Sequence, residues 1–236
     1  MKKSDIFSLS PNISEKKVDF NSVSKLPNPI RDYFKNVLKE GQSYISYVEL
    51  EHSGKFKIGP FWLPITGKEY FTCAKPNFYW EGKVPLFKAV DYYLNGKGTL
   101  IVKLFSKFIL FEEKGEKMNS AEILRWLAES PWYPTALLPK ENLKWEKIND
   151  DSAKVTLIDK NIKVEGVFYF NKGKIVKFKA KRYKDNKLRE WIGTYRNYKE
   201  IDGYKIPTRV EVKWRIDRED FKYADFKIEN IKFDLI

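Results

Sequence analysis

The sequence predicts a mainly β protein: a large curled antiparallel sheet, an open half-barrel, with helices on its concave side. Three observations lead there. Apolar and polar residues alternate with a period of two through most of residues 42–113 and 143–236, as in strands with one buried and one wet face. Only two stretches follow the helical period instead. The alternation divides into roughly ten to twelve strands, and an antiparallel sheet of that size must curl, close or split.

Residues 1–25 are polar and weakly periodic and are expected to form an arm, leaving residues 26–236 as a single half-barrel domain. The first helix opens that domain. Asn28 is placed to cap it, Pro29 suits its first turn and Gly41 follows its end. Ile30, Tyr33, Phe34, Val37 and Leu38 make its apolar face. Strands follow. Val48, Leu50 and His52 share a face, as do Phe71 with Cys73, Phe78 with Trp80, and Leu100, Val102 with Leu104. A turn at Asn95-Gly96-Lys97-Gly98 separates the last two groups.

A helical insertion is expected near residues 119–139. Asn119 and Glu122 have capping-box spacing, Ile123, Leu124, Leu127 and Ala128 give an apolar side, and Pro131 ends the helix. Strands then resume. Ala153, Val155 and Leu157 form one face, and Ile162, Val164, Gly166, Phe168 and Phe170 another. Val176, Phe178 and Ala180 oppose Lys177, Lys179 and Lys181 across a strand after the turn at Asn171-Lys172-Gly173. Val210, Val212, Trp214 and Ile216 follow. Phe226 and Ile228 run out of phase with Ile231, Phe233 and Leu235, which predicts a β-bulge near Glu229 and Asn230.

Composition narrows the function classes. The 236 residues hold 45 Lys and Arg against 32 Asp and Glu, a net charge of +13. One cysteine and one histidine exclude an internal disulfide framework and a Cys/His zinc site, and no metal or cofactor is expected. The longest apolar runs, residues 108–111 and 167–170, are far below the about 20 residues of a spanning helix. The N-terminal residues hold no apolar core of signal-peptide length, so the expected location is cytoplasmic. The basic charge sits mainly on outward strand positions, as a solvated face requires, which argues against nucleic acid. A diffuse positive field also fits an anionic membrane surface. Oligomeric state has no signal in the sequence.

Few residues carry chemistry. No phosphate loop or nucleophile elbow is present, and His52, in line with Val48 and Leu50, reads as structural before catalytic. Arg125 and Glu129 stand four apart on the second helix, in the weaker orientation for a surface pair and in apolar company. They are either such a surface pair or a buried pair facing a cavity. Counting by two from Phe178 and Ala180 puts Arg182 on the apolar face. There it needs a carboxylate, carbonyls or an anion, unless it reaches water at the strand's end. Asp91, in an aromatic strand, is a candidate partner. Aromatics among Trp80, Tyr93, Trp132, Trp145, Trp191 and Trp214 are each readable as core, and together as the lining of an apolar pocket.

An ordered set of motifs covers residues 26–236. It comprises Leu26-Pro27-x-Pro29, His52-x-Gly54-x-Phe56, Phe78-x-Trp80, Asp91-x-Tyr93-x-x-Gly96-x-Gly98 and Arg125-x-Leu127-x-Glu129. The last runs into Pro134-Thr135-Ala136-Leu137-Leu138 and is followed by Trp145-Glu146, Arg182, Trp191-x-Gly193, Gly203-x-x-x-Pro207 and Trp214. This set resembles a family of bacterial and archaeal proteins known only as a domain of unknown function. It departs from the family pattern at Glu190, where a proline precedes Trp-x-Gly. The family implies no activity. The layout of elements, with Tyr198 to Pro207 leading into the last long strands, is also similar to Lol-type lipoprotein carriers. That resemblance implies a half-barrel holding acyl chains against helices.

The expectation is therefore a non-enzymatic protein that binds a lipid or other apolar or amphiphilic small molecule. The aromatics would form its lining, and Arg125, Glu129, Arg182 and Asp91 would fix a polar head or pair among themselves. Two other classes stay open. One is a hydrolase-like enzyme using Glu129 or Asp91 with an arginine. The other is a scaffold or membrane-surface protein acting through its basic charge.

Overall fold

The computed structural model describes residues 2–184 and 187–234. Residues 3–37 hold helices α1 (Lys3–Phe7), α2 (Phe20–Ser24) and α3 (Asn28–Val37). Six strands follow: β1 (Tyr47–Ile58), β2 (Phe61–Thr72), β3 (Asn77–Val84), β4 (Phe87–Leu94), β5 (Lys97–Leu104) and β6 (Phe108–Lys114). Helix α4 (Glu116–Glu129) and two 3₁₀ turns, Ser130–Trp132 and Pro134–Leu137, come next. The chain ends in β7 (Leu143–Asn149), β8 (Ser152–Asp159), β9 (Ile162–Asn171), β10 (Lys174–Lys184), β11 (Lys187–Ile201), β12 (Tyr204–Ile216) and β13 (Glu219–Phe233).

All thirteen strands form one open antiparallel sheet in the order β6-β5-β4-β3-β2-β1-β13-β12-β11-β10-β9-β8-β7. Every neighbour pair is a hairpin except β1 with β13. The two edges, β6 and β7, are therefore the strands flanking α4, so the helix carries the chain from one edge to the other. Although far apart in the sheet, β4, β5 and β6 on one arm and β9 and β10 on the other all pack against α4. The sheet must curl around the helix for that to happen. At one end the arms touch: the Tyr93 hydroxyl donates to Asp159 at 2.6 Å, and the Lys160 ammonium donates to the Asn95 carbonyl. The result is the open half-barrel with helices on its concave face that the alternation implied.

Turn chemistry sets the register. Asn95-Gly96, Lys172-Gly173 and Asp202-Gly203 all have positive φ at both residues, the conformation of tight hairpin turns. The expected bulge is present: Glu51 pairs with Asn230 and His52 with Ile228, leaving Glu229 as the extra residue. A second bulge makes Ile175, not Val176, the buried residue before Phe178. Leu235 lies outside the described residues.

The helices differ from the expected ones at their starts. Pro27 occupies the capping position of α3, and Asn28 is already helical. Helix α4 begins three residues before Asn119, after Gly115 with φ of 109°. The Asn119 side chain accepts a hydrogen bond from the Gly98 backbone N–H at 2.7 Å, and Glu122 is buried, so no capping box forms. Gly98 has a purpose here, because a Cβ would strike the α4 backbone at Met118. The segment expected as an arm buries Ile6, Phe7, Val18 and Val23.

The concave face is unevenly filled. At one end α3 buries Ile30, Tyr33, Phe34 and Val37, while Trp126, Trp132, Tyr133 and Phe71 pack together beside the 3₁₀ turns. Each such side chain stabilises the fold by about 1.5–3 kcal/mol. Toward the β1–β2, β3–β4 and β12–β13 turns this filling stops.

Candidate functional site: a half-open cavity with a buried charge cluster

A cavity of about 640 Å³ occupies the unfilled end. Its walls are aromatic and aliphatic, including Phe56, Trp80, Trp191, Trp214, Tyr223 and Phe226, with a polar floor of Asp91, Glu122, Arg125, Glu129 and Arg182.

Sheet register assembles the floor. Glu69 pairs with Trp80, and Trp80 with Asp91, so the three lie in a row across β2, β3 and β4. Residues 122, 125 and 129 are three and four apart on α4, which puts them on one side of the helix. Arg125 reaches from that side and binds three carboxyl groups: Glu129 at 2.9 Å, Asp91 at 2.7 Å and Glu69 at 2.9 Å. Its guanidinium lies 4.9 Å from the Trp80 ring centre and 5.0 Å from that of Phe78, within cation–π range. From the opposite arm Arg182 donates to Glu122 at 2.8 Å and sits 5.0 Å from the Trp191 ring centre.

Four carboxyl groups thus face two guanidiniums in a largely buried environment. Burial, reinforced by neighbouring carboxylates, pushes Glu122 up to about 8. Burial raises Glu69 well above the carboxylate range, with Glu129's charge adding to it, and raises Glu129 despite Arg125. Glu69 shares a hydrogen bond with Glu129, a contact that acts to raise Glu69 and to lower Glu129. One oxygen each of Asp91 and Glu122, and the Nε of Arg182, have no protein partner.

His52 supports this floor from behind. Its Nε2 accepts the Trp80 indole N–H at 2.8 Å, which places its own proton on Nδ1, and Phe226 stacks on it at 4.4 Å. Burial, and then the Arg125 charge, lower it to about 3. It is a neutral structural residue. Gly67 and Gly82 make room, since a Cβ there would overlap the His52 and Trp80 rings respectively.

Seven of the ten expected site residues line this cavity: Trp80, Asp91, Arg125, Glu129, Arg182, Trp191 and Trp214. Three lie elsewhere. Tyr93 is fully buried and ties β4 to Asp159. Trp132 packs on Phe71 in the filled end. Trp145 packs at a tilt on Phe168 and donates to the Leu137 carbonyl at 2.9 Å, anchoring the 3₁₀ segment to edge strand β7. Glu69, Glu122 and Tyr223 were missed. Glu69 is in phase with Phe71 and Cys73, a signal that was available. Glu122 was spent on the capping box. Tyr223, whose hydroxyl accepts from Trp191 at 2.8 Å, is the extra residue of a bulge between Val212–Ala224 and Lys213–Lys222 pairs, which alternation misplaces. Glu190 lies inside β11 and pairs with Lys179 at 2.7 Å. Among the described residues no group of three His, Cys, Asp or Glu side chains is placed to hold a metal ion.

Residues 16–226 match a family of unknown function, DUF6544. The chain belongs to that family. This DUF6544 protein is similar in structure to a LolA superfamily protein from Nitrosomonas europaea, at 10% identity and a TM-score of 0.49, covering 93% of this chain and 95% of that one. It is also similar to a DUF1329 family protein from Desulfovibrio piger, at 10% identity and a TM-score of 0.46, covering 81% and 87%. No curated protein matches this DUF6544 chain.

Proposed function

We propose that this protein is a non-enzymatic carrier that holds a lipid or other amphiphilic small molecule in the half-barrel cavity. The observation that carries the reading is the incomplete filling of the concave face. An apolar-walled space of about 640 Å³ is left where a structural core would be packed, and it falls in the size range of small-molecule pockets. Acyl or isoprenoid chains fit the walls of Phe56, Trp80, Trp214 and Phe226. A polar head meets the charged floor of Asp91, Arg125, Glu129 and Arg182. Native mass spectrometry after mild purification tests this, followed by incubation with fatty acids and isoprenoids. The expected result is a stoichiometric adduct. A ligand-free spectrum with no uptake of either class contradicts the reading.

A second reading is hydrolase-like chemistry, and the observation favouring it is Glu122, pushed up to about 8 at a cavity wall. Such a group is suited to proton transfer near neutral pH. Turnover of ester substrates that is lost in Glu122→Gln would support it, and absence of turnover in the folded protein would remove it.

A further inference from the structure

Three neighbouring hairpin tips stand on the same edge of the sheet as the cavity mouth. They connect β1 to β2, β3 to β4 and β5 to β6. Residues 55–64, 83–88 and 102–111, which form them, contain two lysines each and no Asp or Glu. The same segments expose large apolar side chains: Phe61 is 68% exposed, Phe105 63% and Leu86 60%. The β12–β13 hairpin at the same end differs, because there Asp220 pairs with Lys213 and Arg215, and along the strands basic and acidic residues pair likewise, as at Arg209 with Asp225.

Strand β6 is the extreme case. Every residue from Phe108 to Lys114 is exposed, including Phe108, Ile109, Leu110 and Phe111 in succession. Consecutive strand residues point to opposite faces, so both faces of this edge strand are apolar. A folded partner covers one face or the edge of a strand. A lipid phase surrounds both. Water-exposed apolar surface on this scale is a marker of an interaction site, and lysines beside it are the complement of anionic headgroups.

The tips also continue into the cavity. Phe56, Lys57, Ile58, Val84 and Phe87 belong to these hairpins and line its walls. We infer that the three tips dock on an anionic lipid bilayer, with the apolar residues of the β5–β6 hairpin entering the headgroup region and the cavity mouth facing the membrane. This rests on the carrier reading only for its purpose, which is direct passage of the ligand between bilayer and cavity. The docking itself stands on the exposed residues and their charge.

Cosedimentation of the full chain with phosphatidylcholine vesicles, with and without added phosphatidylglycerol, tests the inference. Binding is expected to the anionic vesicles and to weaken with salt. Phe108→Ser combined with Leu110→Ser, and separately Lys103→Glu combined with Lys107→Glu, should each reduce partitioning by about tenfold or more. These four residues are outside the cavity, so circular dichroism and uptake of a lipophilic dye should stay as in the parent protein. Failure of the parent to bind anionic vesicles, or variants that bind as well as the parent, overturns the inference. So does a concentration-dependent dimer in sedimentation velocity that both variants abolish without any vesicle binding, because the tips then meet a second copy. Vesicle binding without dye uptake would keep the docking and discard the carrier reading.

Discussion

Arg182 on β10 donates to Glu122 on α4 at 2.8 Å, joining one arm of the sheet to the helix that the sheet curls around. Glu122 is 1% exposed, and its second oxygen has no protein partner. The pair is therefore both a structural tie and part of the buried charge of the cavity floor.

A pH dependence of stability follows. The unfolded chain gives up the Glu122 proton near its ordinary value of 4.5, while the folded protein keeps it to about 8. Between those values the folded state binds more protons, so stability falls as pH rises through this window. The loss is on the order of a few kcal/mol, since each unit corresponds to about 1.4 kcal/mol. Urea unfolding at pH 5, 6.5 and 8 should show it. Glu122→Gln, which cannot titrate, should reduce the slope and leave the part contributed by Glu69 and Glu129, which are also raised, and an equally steep slope in that variant would assign the effect to those groups.

Arg125 neutralises a site that would otherwise collect uncompensated carboxyl groups. Arg125→Met should destabilise the protein by about 3 kcal/mol or more, as expected when one partner of a buried pair is removed. Arg125→Lys should recover less than half of that, because an ammonium cannot present the three-way fork that meets Glu69, Asp91 and Glu129. Chemical denaturation of both variants checks this. A methionine variant as stable as the parent would show that the cluster is solvated.

The glycines beneath the rings make a separate case. Gly67→Ala puts a methyl group into the His52 ring and Gly82→Ala one into the Trp80 ring. Each should cost about 1–3 kcal/mol through overpacking and should change the tryptophan emission spectrum, since both displace Trp80. Unchanged stability and emission would mean that the rings lie elsewhere in solution.

Much of this architecture is legible in the sequence because a half-buried antiparallel strand writes its burial as alternation. Arg182 is the clearest example: two residues on from Ala180, it was expected either to face inward or to reach water at the strand's end, and it faces inward to Glu122. Asp91, Arg125 and Glu129 were found the same way, as charges in apolar company. What alternation cannot show is depth along the strand. Trp80 and Tyr93 carry the same aromatic inward signal, yet Trp80 borders the cavity and Tyr93 closes the filled end, because only the curl of the sheet decides which end the helices fill. Local rules misled at Glu122, where an acid three residues from Asn119 imitates a cap while its side chain answers an arginine sixty residues away. Bulges hid Tyr223, whose side chain cannot be phased from either neighbour.

The unfilled end of the half-barrel is proposed to be a ligand cavity. Titration of the lipophilic dye phenylnaphthylamine into the protein and into Ala89→Trp tests it most directly. Ala89 is on the cavity wall two residues from Asp91, so an indole there takes up cavity space. Saturable dye binding at one site, displaced by an amphiphile, is expected, with about tenfold or greater weakening in Ala89→Trp. No saturable binding to the parent, or equal binding to both proteins, would contradict it.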